Sequence, residues 1–223
     1  MEFVEYPDRE MMALSLADKI AGQLAQHLRG NDSASLCVPG GTTPGPVFDT
    51  LSGTGQLDWS RVTVLLNDER WVDGEHHRSN SRLLRRHLLT GKAAEADYLD
   101  LYTGAARPEE AAEGLAGRIR PHLPITVLLL GMGQDMHTAS LFPGAPETEL
   151  ALASDAPLVM AVRSVPDEPR ITLTAPALQK AIHSHLMITG ADKRQALERA
   201  QLLDPRQAPI RAFLGDITVH WAE

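Results

Sequence analysis

Ile125-Thr126-Val127-Leu128-Leu129-Leu130-Gly131-Met132-Gly133-Gln134-Asp135-Met136-His137 is the stretch whose reading decides the fold. Residues 125–130 read as a buried strand, and the strand runs into two glycines. In a parallel α/β sheet, ligands sit where strand ends hand over to helix starts. An imidazole there, with a carboxylate two residues before it, suits proton transfer near neutral pH. A short helical turn closed by Pro143-Gly144 is expected next, which would put His137 at a helix start. The positive end of a helix disfavours imidazolium and keeps the ring neutral, as a general base requires. Asp135 would then hold the ring in one tautomer.

Outward from this stretch, helix-period and strand-like segments alternate, which predicts an α/β fold with a largely parallel sheet. Residues 8–28 read as an amphipathic helix with Met12, Leu16, Ile20 and Leu24 at fourfold spacing, broken by Gly30-Asn31-Asp32. Further helices are expected through Val47, Phe48 and Leu51, and over residues 79–89, 108–119, 174–181 and 192–202. Strands are expected at 36–38, 62–66, 158–162, 171–174, 185–189 and 217–221. Residues 145–157 and 204–209 read as surface loops. With no repeat or linker in 223 residues, one domain over 1–223 is expected.

Composition narrows the function. The net charge of −8 and the lack of a long Lys/Arg run argue against a nucleic-acid surface. They leave room for a phosphorylated small substrate, since a local cluster of basic groups and backbone N–H binds phosphate inside an acidic protein. Cys37 is the only cysteine, so no intrachain disulfide or multi-thiolate metal site forms, and we read it as an inert core thiol. Residues 1–6 lack a basic start and an apolar core, and no apolar run nears the roughly 18 residues that span a membrane. A cytoplasmic protein without a membrane segment is expected.

Two more strand ends carry chemistry. Gly40-Gly41-Thr42-Thr43-Pro44 lies between a strand and a helix. Its residues alone fit equally a phosphate cradle, with close backbone N–H and threonine hydroxyls, and a tight turn with a threonine cap. Asp68-Glu69-Arg70 follows a buried strand, and its place beside the other motifs makes it one wall of a pocket rather than a solvated loop. Asn80 follows in Arg78-Ser79-Asn80, where a helix cap is the alternative to a role in the site, since Ser79 and Asn80 are both favoured at that position. Gly131-x-Gly133 lacks the third glycine and the distant acid of a dinucleotide fingerprint. His76-His77 and His183-x-His185 lack matching ligands for a metal.

Several of these strings, in this order, resemble the 6-phosphogluconolactonases. That family reads G-x-D-G-H-T-A-S-L-F-P-G where this chain has Gly133 to Gly144, a Gly-Gly-Ser-Thr-Pro loop where it has Gly40 to Pro44, and the same Asp68-Glu69-Arg70-Trp71-Val72 string. An Arg-x-Thr-Leu-Thr string matches at Arg170 and a Gly-x-x-Lys string at Lys193, and the likeness spans nearly the whole chain. The resemblance implies a single-domain α/β fold, Rossmann-like and of the sugar-phosphate isomerase type, with a mostly parallel sheet and helices on both faces. It implies hydrolysis of 6-phospho-D-glucono-1,5-lactone in the pentose phosphate pathway, without metal or organic cofactor, by a monomer or small homo-oligomer.

The site follows residue by residue from the resemblance. His137 would act as base, oriented by Asp135, with Arg70 or backbone N–H groups near Gly133 stabilising the oxyanion. Gly40, Gly41, Thr42, Thr43, Asp68, Asn80, Arg170 and Lys193 would bind the substrate, the last two gripping its phosphate with Thr42 and Thr43. Three departures stand out: Met136 for glycine, Pro39 before the loop, and Val165-Pro166-Asp167-Glu168-Pro169 before Arg170. At Met136 we expect the family glycine to provide room rather than positive φ, so that a flexible thioether swings aside. Aminosugar-6-phosphate isomerase/deaminases share a similar Asp-Gly-His string but continue toward Phe-Asn-Glu-Pro, unlike Ser140-Leu141-Phe142-Pro143 here. A non-catalytic sugar-phosphate sensor joined to a transcription regulator is the other alternative, and it would need a DNA-binding segment.

Overall fold

Apolar segments become the inner strands of a parallel sheet because only such a strand can be buried on both faces. The computed structural model describes residues 1–165 and 168–223. In chain order the elements are β1 (Glu2–Glu5), α1 (Arg9–Leu28), β2 (Ala34–Val38), α2 (Gly45–Ser52), β3 (Val62–Leu66), β4 (Asp68–Arg70), α3 (Asn80–His87), β5 (Asp97–Leu99) and α4 (Pro108–Ile119). They continue as β6 (Val127–Gly131), α5 (Pro146–Leu152), β7 (Val159–Val162), β8 (Arg170–Leu173), α6 (Ala175–Leu178), β9 (His183–Thr189), α7 (Ala191–Ala200) and β10 (Thr218–Ala222). Seven strands form one sheet in the order β1-β10-β9-β6-β2-β3-β5, with every neighbouring pair parallel.

Helix α1 starts where Asp8 accepts a hydrogen bond from the Met11 N–H at 2.7 Å. Its fourfold stripe of Met12, Leu16, Ile20 and Leu24 is buried, and the helix packs on α2, β10, β2 and β6. Each such side chain contributes roughly 1.5–3 kcal/mol on burial. Strands β2 and β3 are buried at every position.

A second sheet was not expected. Strands β4, β8 and β7 form a three-stranded antiparallel unit in that order. The Asp68-Glu69-Arg70 string, read as the exit of a strand, is itself the short strand β4. Residues 145–157, expected as a loop, contain α5. The edge strands β1 and β5 escaped sequence reading because they are short and carry exposed polar residues, as edges do. No helix follows His137: Thr138 and Leu141 form an isolated bridge across a turn, and the next helix begins only at Pro146. Pro166 and Asp167, within the divergent stretch before Arg170, lie outside the described residues.

Strand order turns at β2. From it the chain adds β3 and β5 on one side, then returns to place β6, β9 and β10 on the other. Strands β2 and β6 pair only at Leu36 with Val127 and at Cys37 with Leu128, and beyond that they splay. The carboxyl ends of β2, β3, β6 and β9 therefore surround a crevice at a topological switch point, the usual ligand position in open α/β sheets.

Candidate active site

The crevice is lined by Pro39, Gly40, Gly41, Thr43 and Pro44 after β2, and by Asn67, Asp68 and Arg70 after β3. The opposite wall is Gly131, Met132, Gly133, His137 and Ala139, closed by Arg170, Met187 and Lys193. Eight of the residues picked from sequence thus meet in one cavity: Gly40, Gly41, Thr43, Asp68, Arg70, His137, Arg170 and Lys193.

His137 Nδ1 lies 2.5 Å from Asp135 Oδ1, which also accepts the His137 backbone N–H at 3.2 Å. With Nδ1–H donating to this carboxylate, Nε2 is the free basic nitrogen. Burial works to raise the Asp135 carboxyl, but the hydrogen bond and charge of His137 outweigh it and hold the group below its usual value. Asp135 stands behind the ring rather than in the cavity wall. Gly133 is required here by close approach, because a Cβ on it would overlap the His137 ring and the Asp135 carboxylate. Phe142 supports the imidazole by stacking, with ring centroids 4.6 Å apart.

The dyad is held by a turn and not by a helix start, so the helix-dipole argument for His137 does not apply. Gly133 N–H donates to His137 O at 3.0 Å and Met136 N–H to Gly133 O at 3.0 Å. The N–H groups of Gly133, Met136 and His137 are thereby committed within the turn, which removes them as oxyanion donors. Met136 has φ 69°, in the left-handed region, and Ala139 has φ 49°. The expectation that the family glycine only provides room is thus corrected: the backbone conformation is one that glycine adopts freely. Met there carries strain of about 1–3 kcal/mol.

Period two explains the second wall. Asp68 and Arg70 face the cavity while Glu69, between them, turns away. Glu69 is buried and accepts from the backbone N–H of Asn80 and Ser81 at 2.8 and 2.7 Å and from Ser79 Oγ at 3.1 Å, capping α3. Burial pushes its carboxyl up against the pull of those donors. Asp68 accepts from Ser140 Oγ at 2.5 Å, and Asn80 Nδ2 donates to the Asp68 carbonyl at 3.0 Å. Asn80 is therefore a brace behind Asp68 and not a cavity residue. Its side chain also occupies the space of a Cβ on Gly40, which explains that glycine.

Three cations face the cavity. Arg70 Nη1 donates to the Arg78 carbonyl at 2.6 Å, while its buried Nε has no partner. Arg170 packs over the Phe142 ring at 5.2 Å and lies 3.8 Å from Asp68, and its buried Nε is also without a partner. Burial lowers the Arg170 guanidinium against the pull of Asp68. Burial likewise lowers Lys193, in the first turn of α7, which has no ion-pair partner among the described residues. An anion brought into the cavity would offset the desolvation of Arg170 and Lys193 and give the unpartnered Arg70 Nε an acceptor. Thr42 is the outlier: it is exposed and lines a neighbouring depression with Arg9, Met12 and Thr189. No threonine side chain caps α2, whose N-cap is Pro44.

Asn67 and Phe142 are site residues that sequence reading left without a role. Asn67 falls between the strand at 62–66 and the Asp68-Glu69-Arg70 string, and Phe142 lies within Ser140-Leu141-Phe142-Pro143, but nothing in either stretch says that one side chain bridges two strands or that a ring supports both base and cation.

Comparison with known proteins identifies the family and the fold. The family model described as "Glucosamine-6-phosphate isomerases/6-phosphogluconolactonase" matches residues 7–221. A 6-phosphogluconolactonase of Pseudomonas aeruginosa is 45% identical over 94% of this chain and 90% of its own length. One from Rhizobium meliloti is 41% identical over 95% and 94%. The crystal structure of a 6-phosphogluconolactonase from Shewanella baltica superposes with a TM-score of 0.95 at 34% identity, covering 100% of this chain and 98% of that one. A monomeric glucosamine-6-phosphate deaminase shares the fold, with a TM-score of 0.83 at 16% identity. The chain belongs to the glucosamine-6-phosphate isomerase/6-phosphogluconolactonase family.

Proposed function

We propose a division of labour among the cavity residues for the lactone hydrolysis that this chain carries out as a 6-phosphogluconolactonase of the pentose phosphate pathway. His137 Nε2 takes a proton from water, and the water oxygen attacks C1 of 6-phospho-D-glucono-1,5-lactone. The carbonyl oxygen becomes an oxyanion facing Arg70, whose unpartnered Nε is the donor that the spent backbone N–H groups near Gly133 are not. As the tetrahedral intermediate collapses, the C1–O5 bond breaks and His137 returns its proton to O5. The products are a 5-hydroxyl and a carboxylic acid that ionises to 6-phospho-D-gluconate.

Arg170 and Lys193 hold the 6-phosphate with the Gly40-Gly41-Thr43 loop, and Asp135 keeps the imidazole in its productive tautomer. Arginine supplies paired hydrogen bonds and lysine a mobile point charge. Ester hydrolysis needs only a base and charge stabilisation, so this reading calls for no metal or organic cofactor. The observation that carries it is the convergence of a carboxylate-bound imidazole and three anion-seeking cations on one cavity.

We place the enzyme in the cytoplasm as one catalytic domain over residues 1–223, a monomer or small homo-oligomer. No helix among the described residues is long and apolar enough to cross a membrane. The Ser140-Leu141-Phe142-Pro143 continuation and the 45% identity favour the lactonase over an aminosugar-phosphate isomerase or a sensor. Acid release from the phospholactone, with the spontaneous rate subtracted, tests the reading. A rate equal to the spontaneous one overturns it.

A further inference from the structure

Strands β2 and β6 part beyond Cys37 and Leu128, which leaves the Leu129 carbonyl without a ladder partner on that side. Asn67, the residue after β3, fills the gap. Its backbone N–H donates to the Val38 carbonyl at 2.9 Å and its Nδ2 to the Leu129 carbonyl at 3.3 Å. Since Leu129 O only accepts, the amide must present Nδ2 to it, and this fixes the orientation of the group. Oδ1 then points away from the strand, is fully buried, and has no donor.

Four buried side-chain polar atoms lack a hydrogen-bond partner among the described residues, and three belong to residues lining this one cavity: Asn67 Oδ1, Arg70 Nε and Arg170 Nε. A buried acceptor left without a donor is costly and calls for an explanation. The two arginine nitrogens await an anionic or carbonyl oxygen. Asn67 Oδ1 awaits a donor, which neither phosphate nor a lactone carbonyl provides. In a phosphorylated sugar lactone the remaining donors are the secondary ring hydroxyls.

Resting on the lactonase reading, we propose that Asn67 is a specificity-determining residue whose Oδ1 accepts a hydrogen bond from one secondary hydroxyl of the substrate ring. A site built to pair a hydroxyl rejects the analogue lacking it more strongly than an apolar wall does, because its own buried group is left unpaired. The residue selects polyhydroxylated phospholactones over deoxygenated ones, and it does so without carrying charge.

The test uses the parent phospholactone and its 2-deoxy, 3-deoxy and 4-deoxy counterparts, each generated by oxidation of the matching sugar phosphate at C1. With the wild-type protein, one of the three should lose about tenfold to a hundredfold in kcat/KM. Asn67→Leu should lower the parent to a similar level and erase the difference between the parent and that deoxy analogue. Wild-type protein that opens all three deoxy lactones as fast as the parent overturns the proposal, whether or not the variant folds. A deoxy penalty that survives undiminished in Asn67→Leu also overturns it. If the parent itself is not opened, the lactonase reading falls and this inference falls with it.

Discussion

Arg70 and Arg170 stand directly opposite each other in the antiparallel pairing of β4 with β8. Directly opposed residues share a sheet face, so two guanidinium groups are presented side by side to the cavity. Like charges so placed are destabilising unless an anion lies between or beside them. Asp68 supplies only part of that compensation, at 3.8 Å from Arg170.

This arrangement predicts that the two arginines separate kinetically. Arg170→Ala should raise KM for the 6-phosphorylated lactone about tenfold to a hundredfold, the equivalent of roughly 1.5–3 kcal/mol, and change the unphosphorylated lactone much less. Arg70→Ala should lower kcat on both lactones, since an oxyanion forms in either case. Equal losses of Arg170→Ala on both substrates would place that side chain at the carbonyl instead.

Removal of the base should act on turnover. His137→Ala is expected to reduce kcat by about 10² to 10⁴ with little change in KM, because the ring acts on water rather than on the phosphate. Gly133→Ala should approach the same loss, since its methyl group overlaps the dyad. A Gly133→Ala enzyme with near wild-type kcat would show that the close approach is not needed.

Strain at Met136 is measurable by comparing two substitutions. Met136→Ala and Met136→Gly both remove the side chain, which is partly buried against the core. Only glycine relieves the left-handed backbone, at φ 69°. Met136→Gly should therefore be more stable than Met136→Ala by about 1 kcal/mol in urea unfolding. Its kcat/KM should stay within about tenfold of wild type. Equal stabilities would mean that the turn tolerates a Cβ without cost.

A buried chain of hydrogen bonds predicts acid sensitivity. Tyr6 OH lies 2.8 Å from His220 Nδ1, His220 Nε2 lies 3.1 Å from His185 Nδ1, and His185 Nε2 lies 2.8 Å from Gln23 Oε1. With Gln23 accepting, each histidine donates forward from Nε2 and accepts at Nδ1, so an added proton would set N–H against a donor. Burial, with the charges of His220, Lys19 and His183, lowers His185 to about 3. Burial and Lys19 lower His220 to about 4, against Glu2. The unfolded chain, with histidines near 6.5, binds more protons than the native one between about pH 6.5 and 4. Native stability should fall as pH drops through that window, by up to about 1.4 kcal/mol per pH unit for each histidine. Urea unfolding at pH 7 and pH 5 checks this. His185→Gln/His220→Gln should flatten the slope, and an unchanged slope would assign it to other groups.

The residues themselves dictated the parallel sheet and the place of the site. The short apolar run Val62–Leu66 read as an inner strand and is buried at every position, and the first helix announced itself by its fourfold period and by the break at Gly30-Asn31-Asp32. Strand-end strings with glycine, charge and imidazole marked the crevice, because ligand-binding chemistry needs those residue types in contiguous loops. The family resemblance then linked loops that are far apart in the chain.

Tertiary structure alone decided the rest. That Asp68 and Arg70 face the cavity while Glu69 caps α3 follows from pairing with β8, a partner roughly a hundred residues away. The turn after Gly133, and with it the positive φ of Met136, is set by hydrogen bonds such as Ile210 N–H to Met136 O at 3.2 Å. Asn67 gained its role only because β2 and β6 splay where they do. Local sequence encodes local backbone preference and periodic burial, whereas side-chain direction and unpaired buried atoms depend on which distant strands meet.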